Sequence, residues 1–337
     1  MAKVWIMGAG GFGIALAVMC ANNGHQVTAY SPFQAEIEIL QRDREHKKLL
    51  PGVPLPENIS LTWELPEQIQ ADLVILATPS FAVSSSSQAL SGRLDKQTIV
   101  SCVAKGFHKD TLETMTEVIA KELPANPIVA ISGPSHAEEV GRGVPTTVVA
   151  ASRNRKAAEL IQDTLMCPTL RIYVNDDVTG VELGGALKNV IALAVGVAHG
   201  LKIGDNAVAA LMTRGITEIA RLGVAMGAKS ETFAGLSGIG DLIVTCTSMH
   251  SRNHRAGILI GQGKNAKEAV EAIGMTVEGY TAAECAHKLA QKYNVEMPIT
   301  EQVYQVLYQD KKPQDAIHDL MERPKRHESE YIWLLNR

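Results

Sequence analysis

The chain predicts an α/β fold in which a mostly parallel, helix-flanked sheet is followed by an all-helical C-terminal domain. Three observations carry that prediction. Short β-rich runs alternate with helical stretches as far as about residue 175. From Asp177 onward the strand signals stop and helical periods take over. A glycine-rich turn, Gly8-Ala9-Gly10-Gly11-Phe12-Gly13, follows the first strand-like run at once. Strands alternating with helices pair in parallel, because each helix carries the chain back across the face of the sheet. The boundary is placed at 175–179, which gives domains 1–176 and 177–337.

Taken in order, Lys3 to Met7 (KVWIM) is the first strand, 14–22 the first helix, Gly24 its stop and Gln26 to Tyr30 the second strand. Further strands are expected at 73–77, 98–103, 128–132, 146–151 and 170–174, with helices at 112–122 and 156–166 between them. The helical half reads 178–200, 205–227 with Asp205 as N-cap, 281–293, 298–308 and 313–321. The tail, 323–337, is charged and then apolar (Tyr331-Ile332-Trp333-Leu334-Leu335), and no role for it is legible.

Composition narrows the function. A chain of 337 residues is long enough for two domains with a large buried core. A net charge of −4, a pI near 6.2 and 4% aromatic residues argue against nucleic acid or an anionic membrane as partner. No amino-terminal stretch resembles a signal peptide, and the longest apolar run is broken by Lys188 and Asn189, so no integral membrane contact is expected. The five cysteines are scattered and lack a CxxC, which fits reduced thiols in a cytoplasm. His250 and His254 have i, i+4 spacing, but no third ligand is evident and no metal is expected.

The glycine turn lies in strand–turn–helix–strand context, which the dinucleotide fingerprint requires. Gly8 permits the tight turn, Gly10 lets backbone approach a pyrophosphate and Gly13 allows close helix–strand packing. Free N–H groups at the helix start then face the phosphates. The acidic residue that normally ends the second strand is missing, since Tyr30-Ser31-Pro32-Phe33 carries no carboxylate. Ser31 is thus free to donate to a 2′-phosphate, and Arg42, Arg44, Lys47 and Lys48 lie downstream. The expectation leans to NADP(H), or to both NADP(H) and NAD(H).

Lys188 stands inside the apolar helical run VELGGALKNVIALAVGV, 181–197. A cation there loses hydration, so it must pair, shift its pKa or serve a ligand. Gly184 and Gly185 one turn earlier look like room kept open beside it, although a lysine snorkelling to the surface fits the run equally well. In open α/β sheets ligands bind beyond the carboxyl ends of the strands. Thr78-Pro79-Ser80, Lys105-Gly106 and Gly133-Pro134-Ser135-His136-Ala137 fall there. Lys105 can bind a substrate oxygen or be an ordinary loop lysine. The helical half adds Gly238-Ile239-Gly240-Asp241 and Ser251-Arg252-Asn253, whose hydroxyl, guanidinium and amide donors suit a phosphate dianion. Ser251 also suits a helix N-cap.

These residues resemble those of the bacterial NAD(P)-dependent sn-glycerol-3-phosphate dehydrogenases, over nearly the whole chain to about Arg323. The resemblance is carried by Leu50-Pro51-Gly52, Ile131-Ser132-Gly133-Pro134-Ser135, Gly180 to Asn189 (GVELGGALKN), Gly240-Asp241-Leu242 and Ser251-Arg252-Asn253. It implies a Rossmann-type N-terminal domain and a helical domain of the 6-phosphogluconate dehydrogenase C-terminal type. It also implies interconversion of dihydroxyacetone phosphate and sn-glycerol 3-phosphate, a phosphorylated triose as substrate and a supply of glycerol phosphate for phospholipids. A homodimer is left open. By the same resemblance Lys188 is the proton donor and acceptor, with Lys105 and Asp241 beside it. Gly133, Ser135, Ser251, Arg252 and Asn253 join these three as substrate ligands. Gly8, Gly10, Gly11, Phe12, Gly13, Ser31, Lys105, Ala137, Arg252 and Glu278 would touch the cofactor. The chain departs from the family at Gly11-Phe12, where Ser-Trp is usual, within 84–87, where an Arg is common, and at His136, where Phe or Asn is usual. Two other readings remain on residues alone, a hydroxyacid dehydrogenase of the same architecture and a non-catalytic nucleotide sensor.

Overall fold

The computed structural model describes residues 1–325, 327 and 328. The sheet half runs β1 (Lys3–Met7), α1 (Gly11–Asn22), β2 (Gln26–Tyr30), α2 (Gln34–Asp43), β3 (Ile59–Thr62), β4 (Leu73–Leu76) and α3 (Val83–Leu90). It continues through β5 (Ile99–Cys102), α4 (Met115–Glu122), β6 (Ile128–Ser132), α5 (Ala137–Gly141), β7 (Thr146–Ala151), α6 (Arg155–Leu165) and β8 (Leu170–Asn175). The helical domain comprises α7 (Val178–Gly200), α8 (Asp205–Ala225), α9 (Asp241–Thr247), α10 (Arg252–Gly261) and α11 (Ala266–Ile273). It closes with α12 (Glu278–Tyr293), α13 (Pro298–Tyr308) and α14 (Pro313–Met321). Most of the tail, including the apolar 331–335, lies outside the described residues.

The eight strands form one sheet in the order β3-β2-β1-β4-β5-β6-β7-β8. The order reverses between β1 and β4, which makes their carboxyl ends the expected ligand crevice. Neighbouring strands are parallel, as the alternation predicts, except β6 and β7, which pair antiparallel with Ala130 opposite Ala151. The short α5 hairpin between them is too brief for a crossover, and so the chain returns beside itself. Side chains alternate across the sheet as strand geometry demands. Leu73 and Ile75 of β4 join the face covered by α1 and α6, while Val74 and Leu76 join the face covered by α3 and α4.

Strand boundaries agree with the sequence reading to within about a residue. Short β3 and the helices α2, α3, α5, α9 and α11 escaped it, whereas α10 begins at the Ser251 cap the sequence offered. Asp205 proves to be the first helical residue of α8 rather than its cap, which is Gly204. Its carboxylate therefore faces the positive end of the helix dipole.

The hub of the second domain is α7. By length and composition this helix is apolar enough to cross a membrane, yet 89% of its most apolar window is buried inside the protein. It is a core helix, hydrophobic around its circumference because α8, α9, α10 and α12 surround it. Its crossing with α10 is very close. Gly196 and Gly200 face Gly257 and Gly261, and a Cβ on Gly196 would lie 2.9 Å from the Gly257 Cα. Side chains at this crossing would force the helices apart and move the start of α10, Ser251 to Asn253, away from Lys188.

Candidate active site

Lys188, Asp241 and Lys105 meet where the two domains join. Lys188 is buried in mid-α7, Lys105 follows β5, and Asp241 opens α9 after a π-helical turn at Leu236–Gly240. Lys188 Nζ donates to Asp241 Oδ1 at 2.5 Å and to Thr245 Oγ1 at 2.6 Å. Lys105 Nζ donates to Asp241 Oδ2 at 2.8 Å and to the Gly133 carbonyl at 2.7 Å, with Ser135 Oγ at 3.3 Å. Two ammonium groups thus share one carboxylate, leaving a net positive charge. Lys188 pairs rather than snorkels, and Lys105 is no solvated loop residue.

Burial is the largest influence on Lys188 and lowers its pKa to about 8, with Lys105 acting in the same direction. Asp241 opposes the shift and keeps it from going further. Burial pushes the Asp241 carboxyl up, but Lys105 and Lys188 together outweigh this and hold it below its ordinary range. The group of adjustable charge is therefore the lysine, near neutrality, while the carboxylate stays ionised.

The room expected above Lys188 is filled by protein. A Cβ on Gly184 would lie 2.5 Å from the Ser237 carbonyl, and one on Gly185 would lie 2.5 Å from Ser132 Oγ and 3.5 Å from Lys105 Cγ. The two glycines admit the π-helical turn that delivers Asp241 and the stem that delivers Lys105. They build the cluster rather than vacate space beside it.

At the start of α10 the expected phosphate ligands divide. Ser251 caps the helix, its Oγ accepting from His254 N at 3.2 Å while its own proton stays available. Asn253 braces the architecture: its Nδ2 donates to Asn189 Oδ1 at 2.9 Å and its Oδ1 accepts from Gly279 N at 2.8 Å. Arg252 is different. Its largely buried guanidinium makes no hydrogen bond or ion pair among the described residues. Burial lowers its pKa while the nearby carboxylates of Glu278 and Glu138 raise it. A desolvated cation with unused donors is a ready receiver for an anion. Glu278 accepts from Ser80 N at 3.1 Å and from Ser80 Oγ at 2.5 Å, so it clasps the sheet half to the helical domain. His250 and His254 part company: His254 contacts His199 at 2.7 Å, and His250 faces Glu138 at 3.7 Å.

The glycine turn fits a dinucleotide. Gly8 N donates to the Tyr30 carbonyl at 2.8 Å, closing the turn over β2. A Cβ on Gly13 would sit 1.9 Å from the Gly8 carbonyl, so no other residue packs there, whereas Gly10 faces open space. The N-terminus of α1 has no side-chain cap, which leaves its first N–H groups for an anion. Phe12 packs on the sheet core and Ala137 opens α5 beside it.

One expectation at this end is corrected. Ser31 is buried and its Oγ donates to Glu36 Oε2 at 2.5 Å. A carboxylate does stand beside the end of β2, reaching back from the first turn of α2. Sequence reasoning also missed Thr245, the second acceptor for Lys188, and Asn189, whose Nδ2 reaches the Lys105 carbonyl at 3.2 Å. Asn189 immediately follows the lysine, and adjacency to a buried cation was the one signal that could have found it.

A dinucleotide turn at the switch point, facing a buried lysine network across a domain junction, defines a nicotinamide-dependent dehydrogenase. The chain belongs to the NAD-dependent glycerol-3-phosphate dehydrogenase family, whose N-terminal profile matches residues 3–158 and whose C-terminal profile matches 177–318. It is 49% identical over 335 residues to glycerol-3-phosphate dehydrogenase [NAD(P)+] of Desulfitobacterium hafniense, covering 99% of this chain and 95% of the relative. The enzyme of the same description from Fusobacterium nucleatum is 51% identical over 97% of this chain and 98% of its own length. The crystal structure of glycerol-3-phosphate dehydrogenase from Coxiella burnetii superposes with a TM-score of 0.92 at 39% identity, covering 96% of this chain and 99% of that one.

Proposed function

We propose that this cleft interconverts dihydroxyacetone phosphate and sn-glycerol 3-phosphate, with Lys188 as the proton donor and acceptor. The product supplies the glycerol phosphate of phospholipids. The observation that carries the reading is the Lys188–Asp241–Lys105 network together with a partly buried Arg252 that has no bonded partner among the described residues. The glycine turn and the open N-terminus of α1 hold the cofactor's pyrophosphate, and a nicotinamide bound there supplies or accepts the hydride.

In the direction of ketone reduction, negative charge grows on the carbonyl oxygen. The Lys188 ammonium stabilises that charge and then gives up its proton, and the neutral amine takes a proton in reverse. A pKa near 8 suits both tasks, because neither form is scarce at cellular pH. Lys105 holds Asp241 against Lys188 and adds positive charge, while the Gly133 carbonyl and Ser135 fix its position. Arg252 and the Ser251 hydroxyl grip the phosphate, and binding energy from that remote group aligns the ketone.

We assign dinucleotide binding to 1–176 and proton transfer with phosphate binding to 177–337. We place the protein in a reducing cytoplasm, a reading supported by five free cysteines, with burial pushing the Cys20, Cys102 and Cys246 thiols up to about 12. The test is loss of nicotinamide absorbance with dihydroxyacetone phosphate. Turnover with this ketone and none with 2-keto acids supports the assignment, and the reverse pattern overturns it.

A further inference from the structure

We propose that Glu36, held by Ser31 and His46 beyond the end of β2, receives the adenosine ribose 2′-hydroxyl and selects NADH over NADPH. The inference rests on the dinucleotide assignment above and reverses the cofactor leaning drawn from residues 30–33 alone.

The position is set by backbone contacts on both sides. Ser31 follows Tyr30, whose carbonyl closes the glycine turn, and Ser31 N is bonded to the Thr62 carbonyl of β3 at 3.2 Å. The turn carrying His46 is brought alongside the same fingerprint, for a Cβ on Gly11 would lie only 2.8 Å from the Leu49 carbonyl. That close approach leaves no room for a side chain at Gly11. Glu36 thus stands between two segments that both touch the dinucleotide turn, where the adenosine ribose of a Rossmann cofactor lies.

The carboxylate is held in place. Its Oε2 accepts from Ser31 Oγ at 2.5 Å, and its Oε1 lies 3.5 Å from His46 Nε2, which has no other partner among the described residues. His46 Nδ1 accepts from Leu49 N at 3.3 Å, so the ring's proton sits on the nitrogen facing Glu36. The His46 contact, followed by that of Ser31, holds Glu36 below the usual carboxylate range against partial burial that raises it. Each oxygen retains a lone pair for a ribose hydroxyl, and the charge repels a phosphate at the same carbon.

Three of the four cations that could offset this charge are engaged elsewhere. Arg42 pairs with Asp43 at 2.7 Å and Lys47 with the same carboxylate at 3.1 Å. Arg44 donates to the Pro56 and Ile59 carbonyls. Lys48 remains as an exposed side chain.

The test is fluorescence titration of the full chain with NADH and with NADPH, for the parent, Glu36→Gln and Ser31→Ala. Glu36 is half-exposed in the first turn of α2, so its substitution leaves the core intact. The parent should bind NADH on the order of tenfold or more tighter, since like charges oppose the 2′-phosphate. Glu36→Gln keeps an acceptor but removes the charge, and the NADPH-to-NADH ratio of Kd should fall by about the same factor. Ser31→Ala keeps the charge and should keep the preference for NADH. A parent that binds both equally or favours NADPH, or a Glu36→Gln that shifts both by one factor, overturns the proposal. Binding of neither cofactor overturns the dinucleotide assignment itself, whereas binding without turnover of dihydroxyacetone phosphate overturns only the substrate assignment.

Discussion

The cleft contains two cationic regions that hold their charge in opposite ways. At the reacting end, Lys188 and Lys105 are locked onto one buried carboxylate, with Thr245, Gly133 and Ser135 completing the network. At the end proposed to hold the phosphate, Arg252 is largely buried yet has carboxylates near it and none bonded to it. The difference suits the tasks proposed for the two regions. A group that must gain and lose a proton needs a fixed environment, because the environment sets its pKa. A group that must grip an incoming dianion needs unused donors, because a preformed ion pair would have to be broken first.

The contrast is broken or sharpened by substitution, the largest effect expected at the reacting end. Lys188→Ala should lower kcat by roughly 10²–10⁴-fold, the size of a general acid–base contribution, with little change in cofactor Kd. Near-normal kcat would reduce the lysine to a structural ion pair. Asp241→Asn leaves two ammonium groups facing each other. Loss of one partner of a buried pair costs roughly 3–5 kcal/mol, read as a fall in Tm. Without the carboxylate that raises it, the Lys188 pKa should drop further, so the reduction activity fails at lower pH.

Arg252→Ala comes next. A charged hydrogen bond contributes about 1.5–3 kcal/mol, so kcat/KM for dihydroxyacetone phosphate should fall by roughly one to two decades. Dihydroxyacetone without phosphate should be a poor substrate for the parent and should lose far less on substitution. Equal losses for the two ketones would move the phosphate grip to Lys105. The smallest effect belongs to Glu278→Ala, which strips the Ser80 N–H and hydroxyl of their partner across the domain junction. Thermal stability should fall by about 1–3 kcal/mol. An unchanged Tm with a raised cofactor KM would instead make Glu278 a cofactor contact.

The fold was legible where periodicity is strong. Continuous apolar runs such as Leu73–Leu76 and the long α7 stand out because both faces of each are buried. The antiparallel turn of β7 was not legible, since strand direction is decided by the length and path of α5 rather than by the strand's own residues. The residue types of the site were legible as well: a lysine in an apolar helix, a lysine and glycines at strand ends, and an Arg beside a helix cap. Their wiring was not. Gly184 and Gly185 read as vacant space because sequence does not reveal which backbone comes from outside the helix to fill it. Glu36 was invisible as the β2 carboxylate because it reaches back from the first turn of the next helix, five residues after Ser31. Thr245 and Asn189 look like ordinary helix residues until Lys188 and Lys105 are set against them.

The most direct test of Lys188 as the acid and base is the pH dependence of kcat/KM in both directions, which reports groups of the free enzyme. Ketone reduction requires the ammonium form, which predominates below a pKa of about 8, so kcat/KM for dihydroxyacetone phosphate should fall as pH rises through that value. Oxidation of sn-glycerol 3-phosphate requires the neutral amine and should rise through the same value. Profiles that mirror each other about pH 8 are the expected result. Profiles that are flat from pH 6 to 10, or that move in the same direction for both reactions, would contradict Lys188 as the proton donor and acceptor.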